Sequence, residues 1–387
     1  MIRSLRLRSF KCFEDQSIDL RRLTLLSGIN GSGKSTVIQS LLLLHQALGN
    51  SDVAEQSRAL PLNGSLATLG TARDVISQTT GGKKFTIGVA SEDVDVEWTF
   101  ATKVPRDELV ATLSGVRWKR NEPRAKSHTG KVLFPRQLRN EKGGAAMLAT
   151  LRGARFVPAD RVGPAETYPL LENDRHASFG PRAEMAVGAL YWAGSQTVPR
   201  SLRHPDPRTG GTVARQVEAW LSDLFPGVIL ELARIPNANA ITLGIRTSVK
   251  HDSGRPQHVG FGITYSLPII IALVSSQPGD LLLIENPEAH LHPRAQVAIA
   301  TLCQRAARNG AQIIIETHSD HVLNSVRVGC RRGIVAPRDV AIQFFERDDE
   351  RMSITRIQID EHGRLDNRVT GFFDQMELQL GDLIEPL

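Results

Sequence analysis

Long uncharged apolar runs are missing from this 387-residue chain. None reaches the ~18 residues that a membrane-crossing helix needs, so no transmembrane helix is expected. Cysteine is scarce: Cys12, Cys303 and Cys330 are widely spaced and odd in number. That pattern argues against a disulfide framework or a zinc ribbon and fits a reducing, cytoplasmic compartment. Met1 to Phe10 lacks the apolar core of a signal peptide and alternates apolar with basic side chains instead. Internal repeats, long coiled-coil runs and low-complexity tracts are also absent.

What is present is a globular composition, 41% hydrophobic, in a chain long enough for about two or three domains. Lys plus Arg is 47 against 41 for Asp plus Glu, a net charge of +6. This excess permits nucleic-acid binding without demanding it. Arg117 to Lys142 carries nine basic residues against Glu122 and Glu141, whereas Glu377 to Leu387 carries acidic charge only. The basic stretch reads either as a solvated, irregular loop or as a contact to a DNA backbone.

Residues Gly28 to Ser35, GINGSGKS, fit the phosphate-loop pattern of Gly, four residues, Gly, Lys, then Ser or Thr. Leu23-Thr24-Leu25-Leu26 before it reads as a buried strand, and Val37 to Ala47 after it as a buried helix. Glycines let backbone N–H groups turn inward around phosphate oxygens, and the helix adds its positive end. Contacts to ATP are assigned to Gly28, Asn30, Gly31, Ser32, Gly33, Lys34, Ser35 and Thr36. Lys34 reaches the β- and γ-phosphates and Ser35 holds Mg²⁺.

Ile2 to Leu7 and Ile18 to Leu20 read as paired strands. Phe85 to Val89, Val94 to Phe100 and Leu109 to Trp118 alternate with turns between them, which predicts an antiparallel sheet. Met147 to Leu151, Phe179 to Val187 and Val213 to Phe225 read as helices, and Leu230 to Ile235 and Ile241 to Ile245 as strands. Arg155 to Arg161 reads as a strand end; Arg155, Asp160 and Arg161 are either salt-bridged there or couple the middle of the chain to nucleotide. Beyond residue 260, helices at Ile263 to Val274 and Pro293 to Arg308 alternate with all-apolar strands at Leu281 to Ile284 and Gln312 to Ile315. That alternation predicts a parallel sheet covered on both faces. Val340 to Phe345 and Ser353 to Ile359 predict a closing hairpin.

LLLIENPEAHLHP, Leu281 to Pro293, looks like a Walker B strand with its exit loop, and Glu285 stands where an acidic residue assists the Mg²⁺ site. Asn286 stands where a catalytic glutamate is usual. An amide takes no proton from water at neutral pH, so Asn286 orients water at most, and Glu288 is the candidate base. Glu285, Glu288, His290, His292, His318 and His321 can also be read as metal ligands. The phosphate loop accounts for Glu285 and His318 without that reading.

These motifs in this order resemble the ABC-type ATPases of the RecF, SMC and OLD kind. LRSFKCF near the N-terminus looks like their usual start. ENPEAHLHP and ETHSDHVLNSVR look like the OLD branch, and Gly371 to Gln375 like a tail found on small stand-alone members. The resemblance implies that His318 senses the γ-phosphate. It also implies that Gly260-Phe261-Gly262 opens a signature helix whose Gly260 and Gly262 meet ATP held by the opposite protomer. The Ser-Gly-Gly of transporter ATPases is missing, and Thr264 or Ser266 is left to supply a hydroxyl. The glutamine loop is open among Gln39, Gln46 and Gln78.

The implied fold is α/β: an ABC-ATPase head of mixed or parallel sheet flanked by helices, an antiparallel arm inserted after the phosphate-loop helix, and a short C-terminal β-hairpin extension. The expected division is a discontinuous ATPase domain at 1–80 and 255–335, an arm at 81–254, and an extension at 336–387. The resemblance further implies a homodimer closed by ATP and Mg²⁺, with slow hydrolysis. The partner is an effector such as a nuclease acting in trans, or DNA, and not a membrane, in anti-phage defence or DNA repair. The alternative is an ATP-locked scaffold that assembles a protein partner without turnover.

Overall fold

The computed structural model describes residues 1–49, 51–102, 107–122, 126–171, 179–247, 254–258, 260–348 and 351–366. β1 (Ile2–Phe10), β2 (Phe13–Asp19) and β3 (Leu23–Gly28) open the chain, and α1 (Lys34–Leu48) follows the glycine loop. α2 (Ser51–Ala54), β4 (Ala59–Pro61) and α3 (Ala72–Val75) lead to β5 (Lys84–Ser91), β6 (Val94–Ala101) and β7 (Val110–Arg120). Then come β8 (His128–Gly130), α4 (Arg136–Asn140), α5 (Gly144–Arg152), β9 (Arg155–Val157) and β10 (Tyr168–Pro169). α6 (Ala186–Ala193), α7 (Val213–Leu224), β11 (Ile229–Arg234) and β12 (Ala240–Arg246) follow. The remainder runs α8 (Phe261–Val274), β13 (Leu281–Glu285), α9 (Pro293–Arg308), β14 (Gln312–Glu316), α10 (Asp320–Arg331), β15 (Val340–Asp348) and β16 (Arg351–Ile357).

The apolar strands β3, β13 and β14 lie in a sheet ordered β16-β15-β3-β14-β13-β9, parallel from β15 to β9, with β16 antiparallel at the edge. Side chains alternate between two cores. Leu25, Leu282, Ile284, Ile313 and Ile315 pack with α8, α9 and α10, while Leu26, Leu281, Leu283 and Ile314 pack with α1 and α5. A strand buried on both faces is a near-continuous apolar run, which is why these strands show no alternation.

The antiparallel sheet is ordered β2-β1-β5-β6-β7-β4, with β8 on β7. Its inward residues, among them Leu5, Leu7, Ile87, Val89, Val96 and Trp98, belong to the same core as α1. α1 thus lies between two sheets, which explains why Ile38, Leu41, Leu42, Leu43 and Leu44 are all buried on different faces. β5 pairs with β1 in the register Leu5↔Val89, so hydrogen bonding runs straight across the boundary expected after residue 80. β9 lies within 81–254 and pairs with β13, and β15 lies beyond 336 and pairs with β3. A third sheet, β10-β12-β11, packs with α6 and α7 on the first core.

Two local expectations need correction. The helix expected at Phe179 to Val187 forms instead at Ala186–Ala193. Pro181 and the positive φ of Ala183 (56°) hold the preceding residues in turns, where Met185 N–H donates to Phe179 O. The basic stretch is not wholly irregular either: β7 runs on to Arg120, and β8 and α4 form within it. The tail at Gly371 to Gln375 lies outside the described residues.

Gln312 is one of the side chains that join the two large sheets. Gln312 Oε1 accepts from Ile2 N–H at 2.8 Å, and its Nε2 donates to Ile2 O at 2.6 Å and Arg21 O at 3.1 Å. The amide imitates a strand partner where no backbone can reach. Gln312→Leu strands three backbone groups, and an unsatisfied buried polar group costs about 1–3 kcal/mol. We expect a loss of roughly 2 kcal/mol in urea unfolding; a loss below about 0.5 kcal/mol would show the amide is not needed.

Candidate functional site

The parallel register brings the strand ends to one level. Leu26 pairs with Glu316, Glu316 with Glu285, and Gly28 with Phe345. The glycine loop, the loop after β13 and the loop after β14 all leave from this edge.

Gly28 has φ 138°, and a Cβ added there would sit 2.1 Å from Phe345 O. Only glycine lets β3 leave the sheet beside β15. Gly33, at φ 91°, caps α1 from the left-handed region. Ser32 Oγ donates to Ile29 O at 2.7 Å, tightening the loop. Lys34 Nζ donates to Gly28 O at 3.0 Å and Ile29 O at 2.6 Å, so the ammonium rests on the loop's own carbonyls. Burial lowers its pKa below the ordinary lysine value. Ser35 Oγ donates to Glu316 Oε1 at 3.0 Å.

A pocket of about 650 Å³ opens over this loop. Its wall includes Asn30, Gly31, Ser32, Gly33, Lys34, Ser35, Thr36, Asn286, Glu316 and His318. Lys11, Cys12 and the segment Arg73 to Thr79 face them, with Met352 beyond. Gln39 and Gln78 also line the pocket, whereas Gln46 Oε1 is occupied by Leu66 N–H at 2.8 Å and Ala67 N–H at 2.9 Å.

The acidic residues divide their work. Glu285 Oε2 accepts from Ala159 N–H at 3.0 Å, turned toward the β9 side. Burial pushes this carboxyl up to about 7; the Ala159 N–H opposes the shift and the Glu316 charge adds to it. Glu288 accepts from Thr317 Oγ1 at 2.9 Å and His318 N–H at 2.6 Å, so both its oxygens clasp the loop after β14. Glu316 is raised above the ordinary range, chiefly by burial, with the Ser35 hydroxyl and Lys34 opposing. Glu285 and Glu288 are not among the described residues that wall the pocket.

Asn286 has φ 43° and donates its N–H to Glu316 O at 2.8 Å. Its Oδ1 has no partner among the described residues. Arg161, fully buried, holds the turn from below. Nη1 donates to Pro158 O at 2.9 Å and Glu285 O at 2.8 Å, and Nη2 to Asn286 O at 2.9 Å. Its guanidinium lies 5.3 Å from the Tyr265 ring centroid on α8, and burial brings its pKa down to about 10. Arg155 instead pairs with Asp280 at 2.7 Å at the other end of β9, and Asp160 with Arg182 at 3.2 Å on the surface.

Gly260 caps α8, and neither it nor Gly262 lies on the wall of this pocket. Phe261, 58% exposed, leans with Tyr265 on His290, the latter two rings edge to face at 4.7 Å. His292 Nδ1 accepts from Arg294 N–H at 3.4 Å, and His321 stands 3.8 Å from Asp320. Thr264 and Ser266 hydroxyls donate to Phe261 O and Ile263 O of their own helix, each at 3.1 Å. In the basic stretch, Arg117 pairs with Glu97, Lys142 with Asp93 at 2.8 Å, and Arg136 and Arg139 with Glu55 at 3.0 and 2.7 Å.

Glu316 and Arg161 are the site residues whose roles the sequence hides. Glu316 follows an apolar strand just as Glu285 does, and that was the available signal. What decides between them is strand order, which places β14 next to β3.

Family models match three parts of the chain: "AAA ATPase domain" over 1–129, "AAA domain, putative AbiEii toxin, Type IV TA system" over 201–324, and "Protein of unknown function (DUF3696)" over 335–383. No curated protein matches. Among solved structures, an SMC head bound to the C-winged helix domain of ScpA is 15% identical, with 93% of this chain and 98% of that chain covered and a TM-score of 0.50. The SMC head of Thermotoga maritima is 12% identical, covering 92% and 99%, at a TM-score of 0.40. An Smc head with an extended coiled coil, bound to the C-terminal domain of ScpA derived from Pyrococcus furiosus, is 14% identical, covering 99% of each chain, at 0.44. The first of these carries the likeness of fold, and the two ATPase models fall on the segments that hold the glycine loop and the β13 and β14 ends. Two segments of the chain thus match AAA ATPase models, and the fold is that of an ABC-type ATPase head.

Proposed function

We propose that this ATPase is a nucleotide-driven switch that binds MgATP, closes as a homodimer, hydrolyses slowly, and acts on a partner in the cytoplasm. The observation that carries the reading is the gathering of Lys34, Ser35, Asn286 and His318 on one pocket, with the Asn286 amide oxygen unpartnered. Lys34 leaves the loop carbonyls for the β- and γ-phosphates, and His318 meets the γ-phosphate. The Ser35 hydroxyl and the Glu316 carboxylate it donates to would suit a hard cation that prefers oxygen ligands, and Mg²⁺ there would neutralise phosphate charge. Asn286 Oδ1 accepts from the attacking water and orients it. Glu288, the candidate base, is engaged through both oxygens and so is not free to take that water's proton, which supports slow turnover.

The dimer rests on α8. Its N-terminus lies off the pocket of its own chain, so Gly260 and Gly262 serve an ATP held by a second copy. Contact between Tyr265, His290 and Arg161 links that helix to the loop after β13, a route for closure to reach the site. The output is an effector protein such as a nuclease in trans, in anti-phage defence or DNA repair. The SMC head of similar fold is bound to a winged-helix domain, which supports a protein partner. The ion pairs of Arg117, Arg136, Arg139 and Lys142 reduce the charge left for DNA. The engaged state of Glu288 also favours a second reading, an ATP-locked scaffold without turnover.

ATP turnover, measured with light scattering for mass, separates the readings. An ATP-dependent dimer with turnover, both lost in Lys34→Ala, is the expected result. A dimer without turnover establishes the scaffold, and no dimer with ATP sinks both. Asn286→Glu places a base at the water and is expected to raise the rate about 10-fold or more, since general bases contribute 10²–10⁴-fold. An unchanged rate would mean the side chain does not face the water.

A further inference from the structure

The hydroxyl of a phosphate loop can give a lone pair to Mg²⁺ only if its proton points elsewhere. In this chain the acceptor is settled by strand order. β14 lies between β3 and β13, so the residue at its end, Glu316, stands beside the loop, and Ser35 Oγ donates to Glu316 Oε1 at 3.0 Å. Glu316 is only 6% exposed, it lines the phosphate pocket, and its Oε2 has no partner among the described residues. A buried carboxylate oxygen without a donor is costly unless something binds it. Glu285, one strand further away, spends Oε2 on Ala159 N–H at 3.0 Å and does not line the pocket.

We infer that Glu316, rather than Glu285, is the carboxylate of the Mg²⁺ site: Oε1 fixes the Ser35 hydroxyl with its lone pairs toward the ion, and Oε2 takes up the ion or one of its waters. Mg²⁺ keeps several waters and asks for one or two carboxylates, so a single free oxygen beside the hydroxyl suffices. Glu285 is then a positioning residue, which ties the end of β13 to the backbone after β9. The inference rests on reading the pocket as a MgATP site.

The test is the ratio of dissociation constants for a fluorescent ATP analogue (mant-ATP) in EDTA and in excess Mg²⁺. Losing a partner of a metal site lowers affinity by about 10–100-fold, so Glu316→Gln is expected to collapse the ratio by about 10-fold or more while EDTA binding stays the same or tightens. Glu285→Gln is expected to keep the ratio within about twofold of wild type. Glu316→Asp, which draws the carboxylate back by one methylene, is expected to lie between. It carries the test alone should Glu316→Gln lose its native circular-dichroism spectrum. A wild-type ratio in the Glu316 variants, or a collapse in Glu285→Gln instead, overturns the inference. A wild-type protein that binds mant-ATP equally with and without Mg²⁺ overturns it and leaves the nucleotide site standing. One that binds no mant-ATP at all brings down the MgATP reading as well.

Discussion

Parallel strands that end at one level decide where every polar group of this ATPase can stand. Leu26, Glu316 and Glu285 share a row across three neighbouring strands. Below that row these three strands are largely apolar on both faces; above it the chain turns into loops. The carboxylates are therefore held at the margin of the core, and burial raises both above their ordinary range. A sheet open on one face would leave the same side chains solvated.

The neutral backbone is arranged with equal care. Arg161 is a buried cation that donates to the carbonyls of residues 158, 285 and 286 and lies against the face of Tyr265. Carbonyl dipoles and a ring replace the lost water, and they fix the turn that puts Asn286 at positive φ. Glu288 braces the same turn from the other side through Thr317 and His318. The turn after β13 is thus held by two charged side chains that are both used structurally, and the group left facing the pocket is an amide.

Much of this was legible from residues alone. The strand, glycine loop and helix stand where the spacing places them, because glycine φ and apolar burial are local matters. All-apolar runs identified the parallel strands, and the alternating runs identified the antiparallel ones. Strand order is a property of the whole chain, and the sequence does not display it. β9 and β15 come from far apart to flank β13 and β3, and β5 comes back to β1 across the boundary expected at residue 80. Glu285 was visible because its motif is familiar; Glu316 needed the knowledge that β14 sits next to β3. Helix α6 was displaced because two turn-forming residues, Pro181 and Ala183, outweigh the apolar run that contains them. Pairing of Arg117 with Glu97 and of Arg136 with Glu55 could not be read from a linear count of charge.

Gly28 bears on how variants of this protein should be interpreted. Its absent side chain is required by the carbonyl of Phe345, a residue more than three hundred positions away in the chain, before any nucleotide is considered. An inactive Gly28 variant therefore reports a wedge driven between β3 and β15 as readily as a damaged phosphate cradle. Gly31 is the cleaner probe of the cradle: a Cβ there meets nothing within 4 Å, although its φ of 74° still favours glycine. Loss of function there speaks of the loop itself, whereas loss at Gly28 speaks first of two strands that can no longer lie side by side.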